Sequence, residues 1–167
     1  MMLVNLPGLL ADAARCAQDH VARARTAVAA RIAPDGKLER RALDAEQHVA
    51  HGLAWAAAYA ETLRQTAEWA RALEAEGRLG EAEALPAQLL AHEYLSQFAG
   101  GLPMNQGEAF RPADLDLDAA DLHPVIVRLA PGAGQAVRLR IVELLAAAQG
   151  APSLEASGLD ETLEQIR

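Results

Sequence analysis

The sequence predicts an all-α protein, a helical bundle with one long central helix. Three observations predict it. Hydrophobic residues make up 51% of the 167 positions but aromatic residues only 4%. The apolar content is mostly Ala and Leu, which are strong helix formers, while Val, Ile, Phe and Tyr are too sparse for a sheet. The apolar residues also recur at alternating steps of three and four. The length suits one domain with a core that needs no metal or disulfide. Residues 1–149 read as the bundle, and residues 150–167 as a linker and the start of a following helix.

The first helix is expected over residues 7–32, with Asn5 as N-cap and Pro7 in the first turn. Leu10, Ala14, Ala17, Val21, Ala24 and Val28 form its inner stripe. Ala33-Pro34-Asp35-Gly36 ends it in a turn. A second helix is expected from Lys37 towards Arg78, with a bend or a stop near Gly77. At 1.5 Å per residue it would run roughly 60 Å. Its stripe is Val49, Leu53, Ala56, Ala60, Leu63, Ala67 and Ala70; a second stripe is His51, Trp55, Tyr59, Thr62, Thr66, Trp69 and Leu73. No Asp, Glu, Lys or Arg lies between Val49 and Ala60, which predicts a stretch buried on every side. Glu61, Arg64, Glu68 and Arg71 mark a charged face further on.

A third helix is expected over residues 86–98, with Gly100-Gly101 at its end. Residues 102–117 read as irregular, with no strands anywhere in the chain. A short helix near residues 118–130 is expected to be interrupted at Pro124. The last helix of the bundle spans residues 135–149, with Val137, Ile141, Leu144 and Leu145 inward.

Charge and composition exclude several function classes. The formal net charge is −8, with bases interleaved among acids, so no nucleic-acid partner is expected. The single cysteine, Cys16, fits a reducing, cytoplasmic setting. The first ten residues lack a basic leader and do not read as a signal peptide. No apolar run reaches the roughly 18 residues that a membrane span needs, so no membrane partner is expected.

Four constellations bear on chemistry. Asp44, His48 and His51 share one helix face and are ligand types that zinc accepts; the plainer reading is a solvated turn, with His51 hydrogen-bonded in the core. Trp55, Tyr59 and Trp69 are either an aromatic platform for a flavin or adenine, or core packing, which the reading favours. The segment 100–112, GGLPMNQGEAFRP, is the most singular. Its Gln106, Glu108 and Arg111 are ligand or partner candidates, and Arg111 suits a carboxylate or phosphate; alternatively Arg111 pairs with Glu108 or Asp114 in a connecting loop. Cys16 has His20 one turn away but no orienting third group, so a structural thiol is expected. No catalytic residue is assigned, and no metal or cofactor is assigned to the chain.

Three segments resemble a known family: residues 46–59 (EQHVAHGLAWAAAY), 94–115 (YLSQFAGGLPMNQGEAFRPADL) and 158–167 (GLDETLEQIR). They are similar to the N-terminal helical extension of methylsuccinyl-CoA dehydrogenase-type acyl-CoA dehydrogenase-like flavoproteins. The resemblance implies a fold like the C-terminal four-helix bundle of acyl-CoA dehydrogenases. It implies a whole enzyme that uses FAD to oxidise a branched acyl-CoA to an enoyl-CoA, with a glutamate taking the α-proton. In that family those parts lie in a dehydrogenase body downstream of the position matching Arg167. The resemblance therefore carries no catalytic glutamate or FAD residue onto any position here, and the chain alone is expected to be inactive. The implied role is accessory and assembly. Its implied partners are a dehydrogenase body, in the same or a companion chain, and further copies of the protein. Two rival readings are an independent helical interaction module and a metal-binding bundle using Asp44, His48 and His51.

Overall fold

Helix α1, Leu6–Ile32, carries Pro7 in its first turn, where a missing backbone donor costs nothing. Residues 1–149 and Ala151 are described by a computed structural model; the expected linker and following helix at residues 150–167 otherwise lie outside the described residues. Asn5 precedes α1 but does not cap it with its side chain; its backbone is left-handed, at φ 54°. The expected stripe faces inward, with Leu10, Ala14, Ala17, Ala24 and Val28 buried and Val21 half-buried. The turn after α1 uses Gly36 at φ +75°.

The expected second helix is two helices. Helix α2, Arg40–Ala45, is separated from α3, Gln47–Ala75, by a break at Glu46 (φ −104°, ψ 22°). No glycine or proline marks the break; instead the Glu46 carboxylate is held by Arg31 of α1 at 3.4 Å. Helix α3 stops at Ala75, and Gly77 at φ +67° reverses the chain, with the Arg78 amide returning to the Leu73 carbonyl.

Helices α1 and α3 make the main packing of the molecule, antiparallel and alanine-rich on both buried faces. Val49, Ala56, Ala60, Leu63, Ala67 and Ala70 turn inward as expected. The expectation that α3 is walled in on every side fails. Ala54, Trp55, Ala57 and Ala58 are exposed, and Leu53 is only half-buried. An alanine-rich sequence around a helix reports helix propensity as much as burial, because a bare methyl exposes little apolar area.

Helix α4, Glu81–Gly100, starts earlier than expected and contains Pro86. The Glu83 carboxylate accepts the Gly80 amide at 3.1 Å and stabilises that start. Leu85, Leu95 and Phe98 are fully buried. Gln88, also fully buried, accepts the Leu3 amide at 3.0 Å and donates to the carbonyls of Met1 and Gly132 at 3.1 and 2.9 Å. It thereby ties the N-terminal segment and a single 3-10 turn, Ala130–Gly132, to the bundle.

The segment expected to be irregular holds a two-stranded antiparallel hairpin, β1 Leu102–Asn105 and β2 Glu108–Phe110, followed by a 3-10 turn, Pro112–Leu115. Leu102, Met104 and Phe110 pack inward. Phe110 packs closely on Gly52 of α3, where an added Cβ would lie 2.3 Å from the ring. Helix α5, His123–Leu129, takes Pro124 in its first turn and buries Val125 and Leu129. Helix α6, Gln135–Ala148, leans on α4 and buries only Val137. Ile141 and Leu144 are half-buried, and Leu145 is 68% exposed rather than inward.

Candidate functional site

The polar centre of the molecule lies where the hairpin meets the start of α3. His48 stands one turn before Gly52, so the hairpin that packs on Gly52 also brings its carboxylates to the imidazole. His48 Nδ1 lies 3.3 Å from a Glu108 oxygen, and Nε2 lies 3.3 Å from the Asp114 carboxylate. Two facing carboxylates favour the imidazolium, so the His48 pKa is raised, chiefly by the Glu108 hydrogen bond; burial opposes this, and Asp114 adds to the rise. Asp114 also accepts the Arg111 amide at 2.7 Å, closing the 3-10 turn. Arg31, in the last turn of α1, reaches the Asp114 carbonyl at 3.0 Å and the Asp116 carboxylate at 3.3 Å. Helices α1 and α3 and the hairpin are therefore bolted together at Asp114.

A cleft of about 460 Å³ opens beside this cluster, lined by Leu43, Asp44, Gln47, His48, Ala50, His51 and Glu108. The structure thus gathers Asp44, His48, His51 and Glu108, and leaves Gln106 and Arg111 apart. Gln106 is exposed in the hairpin turn, where the Asn105 side chain accepts the Gly107 amide. The Arg111 guanidinium reaches only the Ala109 carbonyl, at 3.4 Å; it is the Arg111 backbone, not the side chain, that pairs with Asp114. His51 is exposed rather than held in the core, and its Nε2 accepts the Trp55 indole N–H at 3.0 Å. Among the described residues no group of three or more His, Cys, Asp or Glu is placed to hold a metal ion. Both ring nitrogens of His48 face carboxylates, each at 3.3 Å.

The aromatic residues form a ladder rather than a core cluster. Trp55, 37% exposed, stands edge-on to His51 and Tyr59. Tyr59 stacks on Tyr94 with centroids 4.0 Å apart, and meets the buried Phe98 edge-on. Trp69 is 39% exposed in a separate groove of about 540 Å³ between α3 and α4, lined with Thr66, Ala82, Pro86, Ala87 and Leu90. Packing accounts for Tyr59, but the expected burial of Trp55 and Trp69 fails, because among the described residues no element covers the outer side of α3 at these positions.

Cys16 is half-buried, and burial raises its thiol pKa, which keeps it protonated and weakly nucleophilic. His20 is fully buried, edge-on to Phe98, and burial lowers its pKa, with the neighbouring Arg23 adding to the effect. Sequence reasoning missed Arg31, Glu46 and Asp116. A basic residue in a last helical turn suits the helix dipole, so Arg31 looked ordinary.

No family model matches the chain. The chain is 42% identical over 167 residues to a (2S)-methylsuccinyl-CoA dehydrogenase of Cereibacter sphaeroides. The match covers 99% of this chain and 30% of that protein. This chain therefore corresponds to one region of an acyl-CoA dehydrogenase-type protein, and spans about a third of the length of that curated relative.

Proposed function

We propose that this chain is a non-catalytic accessory and assembly domain of an acyl-CoA dehydrogenase-like, FAD-dependent oxidoreductase. The whole enzyme would oxidise a branched acyl-CoA such as methylsuccinyl-CoA. The observation that carries the reading is the match, which runs through nearly the whole chain yet covers only one region of the relative.

The chemistry of the cleft supports it. His48 is committed to two carboxylates, and the Cys16 thiol is held protonated. FAD does not fit the residues gathered here. Its diphosphate would meet the carboxylates of Asp44 and Glu108 across the cleft. Arg31, Arg64, Arg138 and Arg140 are already paired with carboxylates, and the Trp55 indole N–H is spent on His51. These contacts support a reading in which the flavin and the α-proton chemistry belong to a dehydrogenase body, in the same or a companion chain.

The face offered to that body is the outer side of α6, where Leu139, Val142 and Leu145 are 55%, 61% and 68% exposed. Apolar side chains spaced at three along one helix are an unpaid packing surface. The reading sets the assembly in the cytoplasm and in more than one copy. The same exposed stripe favours a second reading, an independent module that docks a partner helix.

Visible absorbance separates a scaffold from a flavin carrier. The purified chain, incubated with FAD and desalted, is expected to emerge colourless. A stoichiometric yellow flavin band on this chain alone would overturn the proposal.

A further inference from the structure

We infer that Trp55 is a redox-active residue: it gives one electron to a small oxidising radical, His51 takes the indole proton, and the stacked pair Tyr59 and Tyr94 refills the indole. The groups for each step are already in contact. The Trp55 indole N–H donates to His51 Nε2 at 3.0 Å. Trp55 and Tyr59 meet edge-on with centroids 6.4 Å apart. Tyr59 lies on Tyr94 at 4.0 Å, with the ring planes 16° apart. Both are arrangements of aromatic rings in direct contact. Phe98 meets Tyr59 edge-on and closes the row on the core side. Its ring carries no hydroxyl or N–H and is far harder to oxidise, so the row ends at the tyrosines.

A comparison within the molecule singles out Trp55. Trp55 and Trp69 are 37% and 39% exposed, so a radical in solution reaches both alike. Among the described residues that line the groove around Trp69 there is no histidine and no second aromatic ring. Only Trp55 therefore combines contact with water, a base on the indole nitrogen and a row of oxidisable rings behind it.

The steps balance. The radical gains one electron and the indole becomes a radical cation. That cation is a far stronger acid than the parent indole, and the hydrogen bond already aims its N–H at the His51 lone pair. The N–H bond breaks, leaving a neutral indolyl radical beside a protonated imidazole. Tyr59 then gives one electron to the indolyl radical, and its O–H bond breaks with the proton passing to water. The indole nitrogen takes its proton back from His51. Trp55 and His51 are thereby restored, and the unpaired electron rests on the tyrosine pair as a phenoxyl radical. A phenoxyl radical is a weaker oxidant than an indolyl radical at neutral pH, so transfer runs towards the tyrosines. None of this depends on docking to a dehydrogenase body.

Pulse radiolysis of the full chain, with the azide radical as oxidant, tests the relay. The chain has two tryptophans and two tyrosines, so Trp69→Phe leaves Trp55 as the sole indole, and every phenoxyl signal comes from Tyr59 and Tyr94. In Trp69→Phe, the indolyl signal is expected to decay as the phenoxyl signal grows, at a rate that protein concentration does not change. Trp55→Phe is expected to lose that phase, and so is Trp69→Phe combined with Tyr59→Phe. A phase that survives unchanged in either variant would overturn the inference. Laser photoionisation of Trp69→Phe reads the proton step. Adding His51→Ala is expected to lengthen the lifetime of the indole radical cation, and an unchanged lifetime would remove His51 from the relay. Peptide mapping of the unmodified chain after azide-radical exposure needs no variant. Lasting oxidation is expected on Trp69 and the tyrosines with Trp55 spared; equal damage to both tryptophans and none to the tyrosines would contradict the relay.

Discussion

His48 joins its helix to the hairpin through charge, and Gln88 joins three segments through neutral hydrogen bonds, so the two respond to different perturbations. The His48 pKa is raised in the folded protein by Glu108 and Asp114. Its contribution is therefore fully present below the unfolded pKa of about 6.5, and is lost as pH rises through the folded pKa. The side chain is 41% exposed, so the effect is screened and modest. Thermal melts across that window are expected to show the wild-type advantage over His48→Gln shrinking as pH rises. A pH-independent difference would count against the latch. Gln88 is buried and makes three hydrogen bonds, so its loss strands two carbonyls and one amide. Gln88→Ala is expected to cost about 3 kcal/mol in urea unfolding. None of this was visible in the sequence. Asp44, His48 and His51 were legible as a face, but the partners of His48 lie 60 and 66 residues away, and spacing says nothing about such contacts.

At the scale of elements, the hairpin is positioned by one glycine. Gly52→Ala gains roughly 1 kcal/mol of helix propensity, but its Cβ would meet the Phe110 ring at 2.3 Å. Overpacking of that kind costs about 1–3 kcal/mol, so net destabilisation is expected in denaturant unfolding. The double variant Gly52→Ala, Phe110→Leu is expected to recover part of it; a Gly52→Ala protein as stable as the parent would contradict the contact. The inner stripes of α1 and α3 were legible because a period of 3.6 leaves a mark over 27 and 29 residues. Strands of four and three residues leave almost none, although Leu102, Met104 and Phe110 do carry their alternation. The break at Glu46 was hidden because no local breaker marks it; what stands beside it is a tertiary ion pair with Arg31.

Across the whole molecule, the bundle closes firmly on its α1–α3 side and weakly at α6. The uncharged run of α3 was legible as helix but not as burial. Whether neighbours cover Trp55 and Trp69 depends on how many elements pack there, and a single helix does not encode that. The outer face of α6, with Leu139, Val142 and Leu145 exposed, is the surface proposed to meet a dehydrogenase body. Sedimentation velocity of this chain mixed with a separately produced dehydrogenase body lacking the region tests that most directly. One faster-sedimenting, flavin-coloured complex that Val142→Lys disperses is expected. Two species that sediment independently, with all the colour on the larger, would contradict it.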